Sequence, residues 1–248
     1  MRQEEIWDED TARRYDTPGT GMFAAAVLEP TVRRLAELAG GGRALEFAIG
    51  TGRVAVPLAA RGVPVTGIEL SRPMVARLRE QADETAIPVV IGDMATTRVL
   101  GEFTLVYLVY NTIGNLLTQA EQVQCFRNAA AHLTPGGRFV IELTVPQLRT
   151  LPPGLDAAVF ASEAGYIGVD TYDVVNQLLT SHHFSFADGR QARVGRSPHR
   201  YIWPAELDLM GELAGFELES RHADWTGAEL TADSSSHVSV YRLAGSHR

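Results

Sequence analysis

The sequence contains very little cysteine. Its only cysteine is Cys125, which lies within a helical pattern. A disulfide within the chain and a thiolate metal site are therefore excluded, because both need several cysteines. Histidines and carboxylates show no metal-ligand spacing either, so the sequence predicts no metal site. Such low cysteine usage is typical of a reducing compartment, and we expect a cytoplasmic protein.

Runs of positive charge and long apolar runs are also missing. The chain carries 22 basic and 30 acidic residues, which gives a formal net charge of −8. Nucleic acids and anionic membranes bind clusters of basic residues, and a membrane-spanning helix needs about 20 apolar residues. The first eight residues are polar and acidic, unlike a secretory signal. We expect neither nucleic acid nor membrane as a partner, and no pattern indicates an oligomeric state.

What the sequence does contain is a regular alternation of short apolar runs and helical patterns. With 248 residues, of which 45% are hydrophobic, the chain can bury a full core. Strands are predicted at 43–48, 63–68, 87–91, 103–109 and 138–143, with helices between them at 52–61, 71–82 and 119–132. Strands separated by helices form a parallel sheet with right-handed crossovers. Two more strands, at 216–225 and 237–243, would complete a seven-stranded, mostly parallel, Rossmann-like α/β sheet with an antiparallel last pair.

The segment before this alternation is helical. Residues 4–16 and 22–39 have helical patterns, and Pro30 is expected to divide the second helix into two pieces. We interpret residues 1–39 as an N-terminal helical cap. The domain that contains the sheet then comprises residues 40–150 and 204–248.

The segment between these two parts has a different period. From Tyr166 to Trp203 apolar and polar residues alternate with period two, and Ala187-Asp188-Gly189 is typical of a hairpin turn. This stretch is therefore predicted to form about three antiparallel strands, within a β insert that comprises residues 151–203. We expect this insert to lie on the substrate side of the sheet.

The stretch from Leu45 to Ala59 indicates a buried strand, a glycine turn and the start of a helix. Gly50 and Gly52 would leave backbone N–H groups uncovered beside a helix N-terminus. Glu46, near the end of the strand, is unusual, because its carboxylate would repel the phosphates of a dinucleotide. The same carboxylate suits a ligand with a positively charged end.

Polar residues also follow the next three strands. Glu69 follows strand two, Asp93 follows strand three, and Asn111 follows strand four. In an open parallel sheet, ligands bind beyond the carboxyl ends of the strands. Glu69 could accept hydrogen bonds from ribose hydroxyls, and Asp93 could accept one from an adenine amine while Met94 packs on the ring. The alternative is structural: Glu69 adjoins a helix cap, and Asp93 lies in an ordinary turn.

Two other classes of protein also fit part of this pattern. An NAD-dependent dehydrogenase fits the G-x-G-x-x-A pattern at 50–55 and the position of Glu69. Against it, Glu46 would face the pyrophosphate, and Asp93 would be a second acid facing the nucleoside. A non-catalytic, cofactor-binding regulator is the other alternative, although the elaborate cap and insert argue against it.

A resemblance to a known family covers roughly residues 40 to 145. The motifs that carry it are Glu46-x-Ala48-x-Gly50-x-Gly52, Glu69, Asp93 and Leu133-Thr134-Pro135-Gly136-Gly137. These resemble the class I S-adenosylmethionine-dependent methyltransferases. More narrowly, the chain resembles small-molecule methyltransferases of bacterial natural-product pathways, such as amino-sugar N,N-dimethyltransferases.

The resemblance implies S-adenosylmethionine as cofactor, S-adenosylhomocysteine as product and a small molecule as methyl acceptor. It implies that the glycine turn holds the methionine portion and the ribose, and that Glu46 faces the cationic amino-acid end of the cofactor. Tyr15, at the end of the N-terminal helix, would touch the carboxylate end. The cofactor-binding residues implied in this way are Tyr15, Glu46, Ala48, Gly50, Gly52, Glu69, Leu70, Asp93, Met94 and Asn111.

Transfer of a methyl group to a nitrogen, oxygen or carbon nucleophile needs positioning, and it needs a base where the nucleophile starts protonated. The insert offers His182, His183 and Asp170 as candidate catalytic residues. On a strand, His182 and His183 point to opposite faces, so we expect at most one of them to reach the site. The alternative is that both are ordinary histidines of a sheet surface.

Overall fold

The computed structural model describes residues 6–187 and 191–245. Its helices are α1 (Glu9–Tyr15), α2 (Ala25–Ala39), α3 (Ala55–Ala60), α4 (Arg72–Leu78), α5 (Gln119–Ala130) and α6 (Pro204–Leu213), with 3₁₀ turns at Gly21–Phe23, Thr112–Asn115 and Leu148–Thr150. The strands are β1 (Ala44–Phe47), β2 (Val65–Glu69), β3 (Val89–Ile91), β4 (Phe103–Leu108), β5 (Leu133–Thr144), β6 (Ala157–Glu163), β7 (Tyr166–Asp173), β8 (Leu178–Ala187), β9 (Gln191–Arg200), β10 (Phe216–His222) and β11 (Ser236–Leu243).

The main sheet has seven strands in the order β10-β11-β5-β4-β1-β2-β3. The neighbouring pairs from β5 to β3 are parallel, and β11 is antiparallel to both β5 and β10. All residues of β1 and β2 are buried, as expected for central parallel strands that helices cover on both faces. The predicted α/β fold is therefore confirmed. Its carboxyl-terminal edge brings together the ends of β1, β2, β3 and β4.

The insert forms a second sheet in the order β6-β7-β8-β9, antiparallel throughout. The three strands predicted from Tyr166 to Trp203 are β7, β8 and β9, and Ala157–Glu163 adds a fourth that was not predicted. Its Ala-Ala-Val-Phe-Ala-Ser-Glu sequence has weak strand propensity, and pairing with β7 provides the order that local preference lacks. The turn predicted at 187–189 lies largely outside the described residues.

Several element ends shift by a few residues, and two larger differences from the predictions have a physical reason. Pro30 does not divide α2, which runs unbroken from Ala25 to Ala39. Proline removes a single N–H donor there, and the buried side of α2 packs against the sheet through residues such as Leu35. Strand β5 begins at Leu133 rather than at Arg138, because residues 134–137 form an irregularity within the ladder to β4.

Among the described residues, no helix combines the length and apolar character that crossing a bilayer demands. The strands of the main sheet lie within residues 44–144 and 216–243, and those of the second sheet lie within 157–200. The division into cap, sheet domain and insert stays a prediction, because it concerns units that could fold or move separately.

Candidate active site

The glycine turn after β1 is built by backbone conformation. Gly50 and Gly52 have φ values of 59° and 84°, and Ala48 shares this left-handed region with φ 53°. A Cβ atom on Gly52 would lie 2.2 Å from Leu78 Cδ1, so only glycine fits against α4. The turn therefore presents bare backbone at the sheet edge, as close approach of a ligand requires.

Glu46 lies beneath this turn. Its side chain is 3% exposed, and its Oε2 accepts a 2.8 Å hydrogen bond from the Tyr107 hydroxyl on the neighbouring strand β4. Burial raises the pKa of Glu46 to about 8, while the Tyr107 hydrogen bond and the Arg53 charge partly oppose the rise. At neutral pH the free protein therefore holds Glu46 largely protonated, and a cation nearby would favour its ionised form.

Glu69 ends β2 and ties the glycine turn to the start of α4. Its two carboxylate oxygens accept hydrogen bonds from the backbone N–H groups of Gly50 and Ser71, each at 2.8 Å. Burial is the main cause that raises the pKa of Glu69, and these N–H groups oppose it. Each oxygen keeps a second lone pair, so the carboxylate can still accept from a ligand hydroxyl. Leu70, the next residue, is half-buried.

Asp93 and Met94 follow β3 and differ in exposure. The Asp93 side chain is exposed, and its Oδ1 accepts a 2.7 Å hydrogen bond from the Ala95 N–H. The Met94 side chain is 7% exposed and packs into the core. The carboxylate therefore stands at the sheet edge, whereas the thioether belongs mainly to the interior.

The end of β4 contains two residues in an unusual backbone conformation. Tyr110 and Asn111 have φ values of 53° and 63°. The Tyr110 N–H donates to Glu142 Oε2 at 2.8 Å, and Asn111 Oδ1 accepts from the Thr144 N–H at 2.6 Å. Asn111 thus fixes β4 against β5, and the Tyr110 ring is left 53% exposed at the edge. Left-handed backbone in non-glycine residues is concentrated at functional sites.

Helix α1 is fastened across the ends of β1 and β2. The Thr51 hydroxyl of the glycine turn donates to Asp16 Oδ1 at 2.7 Å, and the Ser71 hydroxyl donates to the Trp7 carbonyl at 2.6 Å. Between these two contacts lies Tyr15, whose ring meets that of Phe23 edge to face. Burial raises the pKa of Tyr15 to about 12, so it stays a neutral hydroxyl at the site.

Arg53 was not identified from the sequence as a site residue. Its guanidinium lies 5.8 Å from the ring centroids of both Phe23 and Tyr110, and its Nη1 donates to the Met22 carbonyl at 3.1 Å. It therefore connects the cap to the end of β4 and places a positive charge at the sheet edge. The signal in the sequence was a lone arginine between Gly52 and the apolar start of a helix.

The structure separates the three catalytic candidates of the insert. The register pairs Asp170 with Ser181 and Gly168 with His183, so Asp170 and His183 share one face of the second sheet. His182 lies on the opposite face, where its Nε2 is 3.1 Å from Thr171 Oγ1. We call the face of Asp170 and His183 the site face; it carries Tyr166, Asp170, Tyr172, Ser181, His183, Ser197 and His199.

Two contacts turn the site face toward the sheet edge. Arg193, on the same face of β9, donates to Asp10 Oδ2 of α1 at 2.7 Å. At the other end of β9, a Cβ atom on Gly114, in the turn that follows β4, would lie 3.7 Å from His199 Cβ. Strand β9 therefore bridges from the end of β4 to the N-terminal helix.

Both predicted histidines have a ring nitrogen within hydrogen-bond distance of a neighbouring side chain. His183 Nδ1 is 2.7 Å from the Tyr166 hydroxyl, and His183 Nε2 is 3.1 Å from Ser197 Oγ. Asp170 Oδ1 accepts from the Ser181 hydroxyl at 2.7 Å, and burial raises the pKa of Asp170. Of His183 and Asp170, the Asp170 carboxylate is thus better suited to interact with a ligand.

A cavity of about 280 Å³ lies elsewhere, between α2 and the β10–β11 pair, where Arg33 and Trp225 are among the residues that line it. It contains none of the residues predicted for catalysis or cofactor binding. We propose that the active site lies at the carboxyl ends of the strands, because the buried acids and the strained turns are concentrated there.

Comparison with known proteins identifies the family of the chain. A family model described as a methyltransferase domain matches residues 44–137, which run from β1 into β5. The solved structure of the CcbJ methyltransferase from Streptomyces caelestis is similar over 98% of this chain and 99% of its own, with 33% identity and a TM-score of 0.84. The chain belongs to the S-adenosylmethionine-dependent methyltransferases.

Two further relatives support this conclusion. The methyltransferase is 25% identical to the cypemycin N-terminal methyltransferase of a Streptomyces species, over 94% of this chain and 96% of the relative. It also shares its fold with CalS10 from Micromonospora echinaspora, an amino pentose methyltransferase solved with S-adenosylmethionine. That match has 20% identity, a TM-score of 0.68 and coverage of 92% of this chain and 99% of the other. Because the chain belongs to this family, its cofactor is S-adenosylmethionine, and the dehydrogenase and regulator alternatives are wrong.

Proposed function

We propose that the methyltransferase transfers its methyl group to an amine nitrogen of a small molecule. The observation that carries this proposal is Asp170, a half-buried carboxylate on the site face. Its hydrogen-bond partner is the Ser181 hydroxyl, and within the described part of the chain no arginine forms an ion pair with it. An aliphatic amine is a cation near neutral pH, and an unpaired carboxylate attracts it.

Two further observations favour nitrogen over oxygen or carbon. The cypemycin methyltransferase is named for the N-terminus of its substrate, and CalS10 is named for an amino sugar. The site face is also rich in tyrosine, serine and histidine, which suits a polar acceptor with several hydrogen-bonding groups.

The residues at the sheet edge fit the parts of the cofactor. Glu46 would meet its ammonium group, Arg53 and Tyr15 its carboxylate, Glu69 its ribose hydroxyls and Asp93 its adenine amine. When bound, S-adenosylmethionine would supply a sulfonium methyl group: the amine nitrogen would bond to the methyl carbon as the C–S bond breaks, its electron pair leaving on sulfur, and the proton of the methylated amine would pass to solvent. The protein then has to hold the nitrogen in line and exclude water.

The test compares acceptors that differ only in their nitrogen. The protein is incubated with S-adenosylmethionine and either D-glucosamine or trialanine, beside glucose and N-acetyl-trialanine as matched controls. Mass spectrometry should detect a methyl group on the free amines alone. Methylation of glucose, or no methylation of either amine, would contradict the proposal.

The role of Asp170 is tested on the amine that is methylated. We expect Asp170→Asn to raise KM by about tenfold, because an attraction between opposite charges is lost. The matched control is Asp173→Asn, on the same strand but on the opposite face. The control should leave KM within about twofold, and an equal effect of both substitutions would indicate a general loss of strand structure.

A further inference from the structure

His199 differs from the other histidines of the insert in its hydrogen bonding. His183 and His182 interact with neighbouring side chains of the sheet. His199 Nδ1 is buried and has no hydrogen-bond partner among the described residues. The Tyr201 hydroxyl, two residues further along, is also buried without a partner. Buried polar groups are normally satisfied, so two such groups only two residues apart in sequence need an explanation.

The two orphans belong to one row of side chains next to the main sheet. The register pairs Tyr172 with Leu179 and Leu179 with His199, so Tyr172 and His199 share the site face. The Tyr201 ring lies 6.3 Å from the Tyr172 ring, between centroids. A Cβ atom on Gly114 would lie 3.7 Å from His199 Cβ and 3.3 Å from the Arg200 carbonyl oxygen, so any larger residue would crowd this row.

The row is electrically neutral, whereas the next row outward is not. Burial, with a smaller contribution from His183, lowers the pKa of His199 to about 4, and burial raises the pKa values of Tyr172 and Tyr201. At neutral pH none of these three side chains is charged. Asp170 lies one row further from the main sheet, in the row that also contains Ser181 and Ser197.

This arrangement matches the two states through which an amine must pass. An ammonium ion is drawn by a carboxylate, but it has no lone pair with which to attack a methyl group. A neutral, partly buried row disfavours the ammonium form, which gives its proton to solvent, and favours the free amine. We propose that His199 Nδ1 and the Tyr201 hydroxyl bind and orient the reacting amine, while Asp170 recruits it. The inference rests on the proposed function and assigns it a two-row acceptor site.

The activity test uses the amine that the wild-type protein methylates, D-glucosamine or trialanine. We expect His199→Leu and Tyr201→Phe to lower kcat by about tenfold or more, because in-line orientation is lost, while the Kd for S-adenosylhomocysteine stays unchanged. Asp170→Asn should instead act mainly on KM. Compared with His199→Leu, His199→Asn should restore part of kcat, because the asparagine amide occupies the place of Nδ1. His199→Gln should restore less, because the glutamine amide occupies the place of Nε2.

His222→Asn is the matched control, since this histidine lies on β10 at the far edge of the main sheet. It should leave kcat and KM unchanged. Wild-type kcat in both His199→Leu and Tyr201→Phe would overturn the proposal.

A second measurement needs no acceptor and so separates this inference from the amine proposal. Orphan polar groups kept for a ligand cost stability in the free protein, and their removal is neutral or stabilising. The Tm of the full-length Tyr201→Phe protein should therefore be equal to or higher than that of the wild type. A fall of about 3 °C or more would show that the hydroxyl stabilises the fold, and would overturn its assignment to the acceptor.

Discussion

The sheet edge and the insert offer a ligand different kinds of groups. At the sheet edge the chain uses backbone: a turn with left-handed residues, an N–H group held by Glu69, and acids buried beneath the surface. In the insert it uses side chains that stand on one face of a four-stranded sheet. Backbone recognition tolerates little change in sequence, because the fold itself is the binding element. A strand face can exchange side chains without altering the fold, so the acceptor can change while the cofactor stays the same.

The strongest test of this contrast is Gly52→Val at the sheet edge. The new side chain would collide with Leu78 from a φ value that valine avoids, so the turn should be displaced. Affinity for S-adenosylhomocysteine, measured by calorimetry, should fall by roughly 100-fold or more. Gly62→Ala is the matched control, because Gly62 has the same φ of 84° but nothing within 4 Å of an added Cβ. If Gly62→Ala weakened binding equally, the loss would come from backbone strain in general and not from this turn.

Glu69→Gln should have the next largest effect. The amide keeps one oxygen for a backbone N–H but removes the charge and one acceptor. A hydrogen bond to a charged group contributes about 1.5–3 kcal/mol, so the Kd for S-adenosylhomocysteine should rise roughly tenfold to 100-fold. The measurement is again calorimetry, with Glu80→Gln on the exposed surface as control. Unchanged affinity would show that Glu69 only closes the turn.

Glu46 should make both stability and cofactor affinity depend on pH. Its pKa is raised from 4.5 in the unfolded chain to about 8, so the folded state retains a proton that the unfolded state loses. The free energy of unfolding should therefore decrease as pH rises from about 4.5 through about 8, with Glu46→Gln showing a shallower decrease. Thermal unfolding of the free protein at pH 5 and pH 8 measures this difference.

The affinity should change in the opposite sense. If an ammonium group binds beside Glu46, the carboxyl has to ionise, so affinity for S-adenosylhomocysteine should increase between pH 6 and pH 8, by at most about tenfold per pH unit. Glu46→Gln should flatten this profile, whereas Glu37→Gln, at an exposed position of α2, should not. An unchanged profile in Glu46→Gln would remove Glu46 from the cofactor site.

Within the insert, substitutions on the two faces should differ in their effect on kcat/KM, by a smaller amount than the effects above. His183→Ala removes contacts to Tyr166 and Ser197 on the site face, and loss of about 1 kcal/mol of net hydrogen bonding would lower kcat/KM roughly fivefold. His182→Ala changes the opposite face and should alter kcat/KM by less than about twofold. Steady-state kinetics with the methylated amine compares the two. A larger effect of His182→Ala would mean that the insert presents its other face to the substrate.

The sequence predicted the sheet edge better than the insert, for a physical reason. Gly50, Gly52 and Glu69 could be found because glycine conformation, strand burial and spacing after each strand are local properties. The extra strand β6 and the unbroken helix through Pro30 depend on tertiary packing that outweighs local preference. His199 and Tyr172 share a row only through the register of two strand pairs, which spacing along the chain does not specify.

The attachment of α1 to the sheet edge has a kinetic consequence. A ligand beneath α1 is enclosed by the hydrogen bonds from Thr51 to Asp16 and from Ser71 to the Trp7 carbonyl. If the cofactor binds there, its exchange after the reaction would require this helix to detach, and the lifetime of the closed state would set an upper limit on the rate of turnover. Loosening these two bonds should speed product release while it weakens retention of the cofactor. Detachment of the N-terminal helix would thus limit the rate of the catalytic cycle, and the helix would also cover the cofactor.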